Sequence, residues 1–135
     1  MMKKLFTILT VCSLLACSKT DNTGVMTRGD IVGKWKLVEY FRDIGNGTGE
    51  WVPADANDIE IVQFDADGKF LHNENFSIQE GIDRYRITGE NKIELYSSAG
   101  SDTVRYFFRQ DNKDELIFNP VCREFSCMKK HVRLQ

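Results

Sequence analysis

Cysteine and histidine are the residue types in this chain whose chemistry includes disulfide formation, metal binding and proton transfer. The sequence contains four cysteines and two histidines. Cys122 and Cys127 lie close together near the C-terminus, in a C-x4-C spacing. In an exported protein we expect these two thiols to oxidise to a disulfide that closes a short loop. A metal site or a redox pair is the alternative, although a zinc site needs about four ligands and a redox motif has a shorter spacing.

Sequence motifs typical of hydrolases, metalloproteases and nucleotide-binding enzymes are missing from the chain. It contains no G-x-S-x-G, no H-E-x-x-H, no phosphate-binding loop and no G-x-G-x-x-G. His72 and His131 could each act as a base beside a serine, but no characteristic spacing supports that role. We therefore expect no enzyme activity, no bound metal and no cofactor. His131 follows Lys129 and Lys130, and we expect this charged run to form a solvated strand edge.

The N-terminal segment has the layout of a secretory signal. Lys3 and Lys4 precede an apolar stretch from Leu5 to Ala16. This stretch is too short for a membrane-spanning helix, which needs about 20 residues. Its last residues, Leu14-Leu15-Ala16-Cys17, resemble the lipobox of bacterial lipoproteins, which implies that Cys17 receives a diacylglycerol and becomes the new N-terminus. An ordinary secretory signal that is cut elsewhere is the alternative.

Composition divides the chain into three parts. We predict a lipoprotein signal peptide over residues 1–16, a flexible tether with the lipidated Cys17 over residues 17–29, and one domain over residues 30–135. The tether is rich in Ser, Thr, Asp, Asn and Gly, which bury too little apolar surface to fold alone. The formal net charge is −2 and both signs are interleaved, so no basic surface favours nucleic acid.

The domain has the pattern of an all-β protein. Short runs rich in aromatic and β-branched residues are separated by Gly, Asn and Asp clusters of hairpin length. The predicted strands are Gly33 to Arg42, Asp58 to Asp65, Lys69 to Ser77, Glu80 to Thr88, Lys92 to Ser97, Thr103 to Gln110, Glu115 to Phe118 and Met128 to Leu134. Consecutive hairpins favour an eight-stranded antiparallel up-and-down barrel, which leaves no exposed edge. The loop from Asp43 to Asn57 is too long for a hairpin, and we expect it across a mouth of the barrel.

Alternation along the strands predicts which side chains face the interior. The predicted inward positions are Trp35, Leu37, Ile59, Ile61, Tyr85, Ile87, Ile93, Leu95, Val104, Tyr106, Phe108, Leu116, Phe118, Val132 and Leu134. Glu60 is predicted to face outward. The residues expected around any ligand cavity are Phe64, Tyr85, Tyr106, Phe108 and Phe118, with Trp51 in the long loop as a lid, a partner contact or a cover. The same aromatic side chains could instead form a solid core.

Gly33-Lys34-Trp35 at the start of the first strand resembles the lipocalin signature. Together with Asp65 to Phe70, Tyr85-Arg86-Ile87, Lys92 to Leu95 and the C-terminal cysteine pair, it is similar to small lipocalin-like domains of Gram-negative cell-envelope lipoproteins. The resemblance implies that Trp35 closes one end of the barrel and that Arg133 lies against it, as a cation–π pair.

The same resemblance implies a protein held in the cell envelope, at the outer membrane, by its lipid anchor. Its barrel interior would bind or carry a small hydrophobic molecule. The alternative is a solid-core interaction or accessory module, whose partner is a protein of an outer-membrane assembly.

Overall fold

The computed structural model describes residues 27–43, 45, 47–120 and 127–135 of the chain. The predicted signal peptide, Cys17 with its predicted lipidation, and Cys122 lie outside the described residues. The elements are a helical turn α1 (Arg28–Ile31) and strands β1 (Gly33–Arg42), β2 (Glu50–Pro53), β3 (Ile61–Phe64), β4 (Phe70–His72), β5 (Arg84–Gly89), β6 (Lys92–Tyr96), β7 (Thr103–Asn112), β8 (Glu115–Pro120) and β9 (Lys129–Leu134). The helical turn begins within the segment predicted as tether, and the Asp30 carboxylate accepts hydrogen bonds from the Thr27 backbone and hydroxyl.

Eight of the strands form an antiparallel, nearly closed up-and-down barrel, which confirms the predicted fold class. β1 pairs with β3 on one side and with β9 on the other, and the other strands pair with their neighbours in sequence. The circle is completed between β4 and β5, where the Phe70 amide donates to the Asp83 carbonyl at 2.8 Å and the Tyr85 amide donates to the Gly68 carbonyl at 2.9 Å. We call this junction the β4–β5 seam.

The long loop after β1 contains a strand that the sequence pattern did not predict. β2 pairs with the second half of β1, so that Trp51 lies opposite Phe41 and Val52 lies opposite Tyr40. The first half of β1 pairs with β3, with Gly33 opposite Phe64. Part of the loop therefore extends the sheet along β1, where we had expected all of it to lie across the mouth.

The two ends of the barrel differ. The closed end holds α1, the start of β1 and the short turns after β3, β5 and β7, and the Arg133 amide donates there to the Asp114 carbonyl at 2.9 Å. The opposite end, which we call the loop end, holds the connections 43–60, 73–83 and 97–102. Because α1 precedes β1, the chain enters the barrel at its closed end.

The interior is mainly aromatic and aliphatic, and two strands face it with a phase that we predicted wrongly. In β3 the buried residues are Val62 and Phe64, whereas Ile59 just before the strand is 41% exposed. In β9 the buried residue is His131, and Val132 is only half-buried. The physical reason is that Glu60 and His131 pair with each other inside the barrel, and a paired polar group can be buried at a much lower cost than an isolated one.

Candidate functional site

The closed end brings together the three residues predicted to close the barrel. Trp35 is fully buried and its indole Nε1 donates a hydrogen bond to the Ile31 carbonyl at 2.9 Å. The Arg133 guanidinium lies over the Trp35 ring, with Cζ 4.2 Å from the ring centroid. Its Nη1 donates to the Val32 carbonyl at 2.6 Å, and its Nε donates to the Lys113 carbonyl at 3.0 Å.

Gly33 makes room for this arrangement. Its φ of +139° is a backbone conformation that residues with a Cβ rarely adopt. A Cβ at this position would lie 2.4 Å from Nη1 of Arg133, well inside van der Waals contact. Glycine is therefore required here by the backbone and by the close approach of the guanidinium.

Five of the six predicted pocket residues are buried in one aromatic core. The Phe64 ring centroid lies 5.0 Å from that of Tyr85 and 5.7 Å from that of Phe118. Phe118 in turn lies 6.1 Å from Tyr106, and Phe108 belongs to the same buried cluster. These are the separations of rings in direct contact, so the side chains pack against one another.

Trp51, the sixth residue, does not join the core. Its ring lies 5.3 Å from Phe41 in an edge-on contact, and the Lys130 Nζ lies 4.5 Å from its centroid. Lys130 is paired with Ile117 in the sheet and alternates with the buried His131, so it points away from the interior. Trp51 is therefore a half-buried side chain on the outer surface of the barrel.

An ionic cluster lies inside the barrel, on the loop-end side of Trp35. Glu60 and His131 are 1% and 0% exposed, and His131 Nε2 lies 2.8 Å from Glu60 Oε1. The Lys129 ammonium donates to Glu60 Oε2 at 2.5 Å. Among the described residues, His131 Nδ1 is a buried polar atom with no hydrogen-bond partner.

The contact with Glu60 determines which histidine nitrogen carries the proton. A carboxylate only accepts hydrogen bonds, so Nε2 must hold a hydrogen. In the neutral imidazole with its proton on Nε2, Nδ1 is then a buried hydrogen-bond acceptor that has no partner among the described residues. The Phe118 ring packs edge-on against the imidazole at 5.3 Å, which fixes the orientation of the ring.

Two tyrosines surround this cluster. Burial, with a smaller effect of the Glu60 charge, raises the pKa of Tyr106 to about 12. Burial and a hydrogen bond from the Tyr40 hydroxyl to Asp58 raise the pKa of Tyr40 well above its usual value. The Lys129 Nζ lies 5.9 Å from the Tyr40 ring centroid. Both phenols therefore remain protonated at neutral pH. They can form hydrogen bonds there, but they do not act as phenolate anions.

The ionic cluster was not predicted from the sequence, because each of its residues was expected at a solvent-exposed position. Glu60 is flanked by Ile59 and Ile61, and either phase of this alternation is compatible with a strand. The phase that places Val62 and Phe64 inside also places Glu60 inside, and that was the available signal. His131 is similarly in phase with Arg133, whose contact with the Trp35 ring was predicted from the resemblance.

Comparison with protein-family models, curated proteins and solved structures finds no match to this chain. Within the part of the chain that the structure describes, no helix is long and apolar enough to cross a membrane. The same residues contain no group of three or more His, Cys, Asp or Glu side chains placed to hold a metal ion.

Cys127 is disulfide-bonded. Its expected partner Cys122 is not described, so that pairing stays a prediction.

Proposed function

We propose that this protein is a lipid-anchored, lipocalin-like module of the cell envelope that binds a partner protein through its outer surface. In this proposal, the filled barrel is a rigid scaffold and encloses no ligand. The observation that carries the proposal is the packing of the predicted pocket residues against one another. Trp51, the one aromatic residue of that set outside the core, supplies an apolar surface for a partner.

The packing argument rests on the width of a small barrel. Eight strands enclose a space that side chains can just fill, or that holds one small ligand. Here the Phe64 ring contacts Phe70, Tyr85 and Phe118, with centroids 5.2, 5.0 and 5.7 Å away. A ligand at this level would have to displace a buried aromatic ring, at a cost of about 3–5 kcal/mol by analogy with large-to-small core substitutions.

The entry of the chain at the closed end supports a particular orientation. A lipid on Cys17 would join the barrel through the segment before Thr27, next to Trp35 and Arg133. The loop end, with the connections 43–60 and 73–83, would then face away from the membrane. Trp51 lies in the first of these connections, where a partner in the envelope could reach it.

A second candidate function is binding of a small hydrophobic molecule near the loop end. The buried Nδ1 of His131 favours it, because a ligand hydroxyl or amide could donate a hydrogen bond to this atom. Ligand pockets usually combine apolar walls with a few such polar groups. In this candidate, Phe76 and Tyr106 would form the apolar wall beside His131.

A paired experiment on the unlipidated protein separates the two candidates. Mass spectrometry would detect retained lipid, and titration with a fluorescent fatty acid would detect a saturable site. The interaction proposal predicts neither, and it predicts that Trp51→Ala abolishes cross-linking to an envelope protein that the wild type captures. Leu71→Ala is the matched control, because Leu71 is a large hydrophobic residue with an exposed side chain on β4. Saturable fatty-acid binding that His131→Phe weakens would favour the carrier instead.

The anchor is tested separately. Cys17→Ala should release the protein from the membrane fraction and leave the barrel folded. Membrane association that survives this substitution would contradict lipidation at Cys17 without touching the argument from packing.

A further inference from the structure

The outer face of β5, β6 and β7 carries more cations than carboxylates, although the chain as a whole has a formal net charge of −2. These outward positions alternate with the buried Tyr85, Ile93 and Tyr106. The cations are Arg84, Arg86, Lys92, Arg105 and Arg109, and the carboxylates are Glu94 and Asp111. A positive surface on an acidic protein attracts anions selectively.

One apolar side chain is exposed in the middle of this face. Phe107 is 43% exposed, and the Lys92 Nζ lies 6.0 Å from its ring centroid. Beside it is a pocket of about 320 Å³. Its lining residues are Thr88, Lys92, Ile93, Arg105, Tyr106 and Phe107. The sheet is irregular at this point, since the pairing of β5 with β6 shifts register between Ile87 and Gly89.

The two cations at the pocket are not fully neutralised. Glu94 accepts hydrogen bonds from Arg86 Nε and Arg105 Nε, both at 2.8 Å, so one carboxylate serves two guanidinium groups. The Arg105 side chain is still 74% exposed. Lys92 forms no ion pair with any carboxylate in the described part of the chain.

We propose that this pocket binds a small amphipathic anion. Its phosphate, sulfate or carboxylate group would lie between Lys92 and the free guanidinium nitrogens of Arg105, and its hydrocarbon chain would cover Phe107. The volume is at the lower end of the range for small-molecule sites, about 300–1,000 Å³. A lipid headgroup and a free alkyl phosphate share this chemistry. The inference concerns a face remote from Trp51 and goes beyond the proposed partner binding.

Octyl phosphate, kept below its micelle concentration, is the probe, and the processed chain with Cys17→Ser is the protein. Isothermal titration should show saturable binding of octyl phosphate, with 1-octanol and inorganic phosphate each about tenfold weaker or more. Lys92→Gln should weaken octyl phosphate about tenfold, because it removes one charge-assisted contact. Phe107→Ser should weaken it by a similar factor through the loss of apolar contact.

Arg109→Gln is the matched control. Arg109 lies on the same strand and face as Arg105, but it pairs with Asp111 and does not line the pocket. It should leave the affinity within about twofold of the wild type. Lys92→Gln breaks no ion pair of the described residues, so an unchanged thermal midpoint will show that it folds normally.

Vesicle flotation then identifies the source of the anion. Flotation with phosphatidylglycerol vesicles, lost in Lys92→Gln and Phe107→Ser, would identify a lipid headgroup. Octyl phosphate binding without flotation would identify a free ligand. The inference is overturned if octyl phosphate fails to bind, if octanol binds equally well, or if Arg109→Gln weakens binding as much as Lys92→Gln. None of these outcomes bears on Trp51, so the proposed partner binding would stand or fall separately.

Discussion

Substitution of Gly33 by alanine tests the closed end of the barrel most directly. The new methyl group would lie 2.4 Å from Arg133 Nη1, so the guanidinium must move by roughly 1 Å to restore a normal contact. That movement would pull it away from the Val32 carbonyl and from the face of Trp35. We expect Gly33→Ala to fold but to lose a large part of the stability of the domain.

The expected loss has two components. Alanine at a φ of +139° costs on the order of 1–3 kcal/mol in backbone strain. Disruption of the guanidinium contact with the Trp35 ring costs about 0.5–2 kcal/mol more. Together they predict a decrease of about 1.5–5 kcal/mol in the free energy of unfolding, out of roughly 5–15 kcal/mol for a small domain.

Urea unfolding followed by tryptophan fluorescence measures this loss of stability. Two control variants separate the backbone strain from the collision with Arg133. Gly47→Ala introduces a methyl group at a φ of +76° with no atom within 4 Å, so it reports strain without a collision. In an Arg133→Ala background, Gly33→Ala should cost about 1 kcal/mol less than in the wild type, because the collision is gone. Equal costs of Gly33→Ala in both backgrounds would refute the reasoning.

Three further predictions concern the interior and the outer surface. Glu60→Gln should lower the free energy of unfolding by about 1–3 kcal/mol in urea unfolding, because Lys129 loses its partner. The double variant with Lys129→Met should recover part of this loss. The pKa of Tyr106 is about 12 in the folded protein and 10.0 when unperturbed. Because the unfolded chain loses this proton at a lower pH than the folded protein, the free energy of unfolding should fall as the pH rises from about 10 to about 12. Urea unfolding across this pH range should show a smaller fall in Tyr106→Phe. Trp51→Ala should cost only about 1 kcal/mol in the same unfolding assay, and a loss of more than about 3 kcal/mol would show that Trp51 belongs to the core.

Much of the barrel follows from local patterns in the sequence. β1 spans Gly33–Arg42, the range predicted from alternation and from its glycine start. The positions of the other seven barrel strands were predicted with errors at their ends, because turn residues mark a connection but not the last paired residue. β2 was missed because Glu50–Pro53 is short, ends in proline and depends on pairing with the second half of β1. Only the tertiary arrangement specifies such a strand.

In the candidate sites, too, some features could be predicted from the sequence and others depend on the tertiary arrangement. The proximity of Gly33, Trp35 and Arg133 was predicted because a resemblance supplied it, and the structure places them together. The pairing of Glu60 with His131 was not predicted, since it joins residues far apart in sequence whose local patterns each allow two phases. Alternation defines two faces, but it does not say which of them a charged residue will occupy when a partner is present on the same side.

The β4–β5 seam determines where the barrel can open most easily. Elsewhere around the wall, neighbouring strands are joined by ladders of at least three residue pairs, but Lys69 and Arg84 form only an isolated bridge where β4 meets β5. Parting the seam would sacrifice few backbone hydrogen bonds, whereas parting β1 from β9 would break a ladder that runs from Lys34 to Tyr40. Transient widening, and the fastest amide exchange within the wall, should therefore begin at Phe70 and Tyr85.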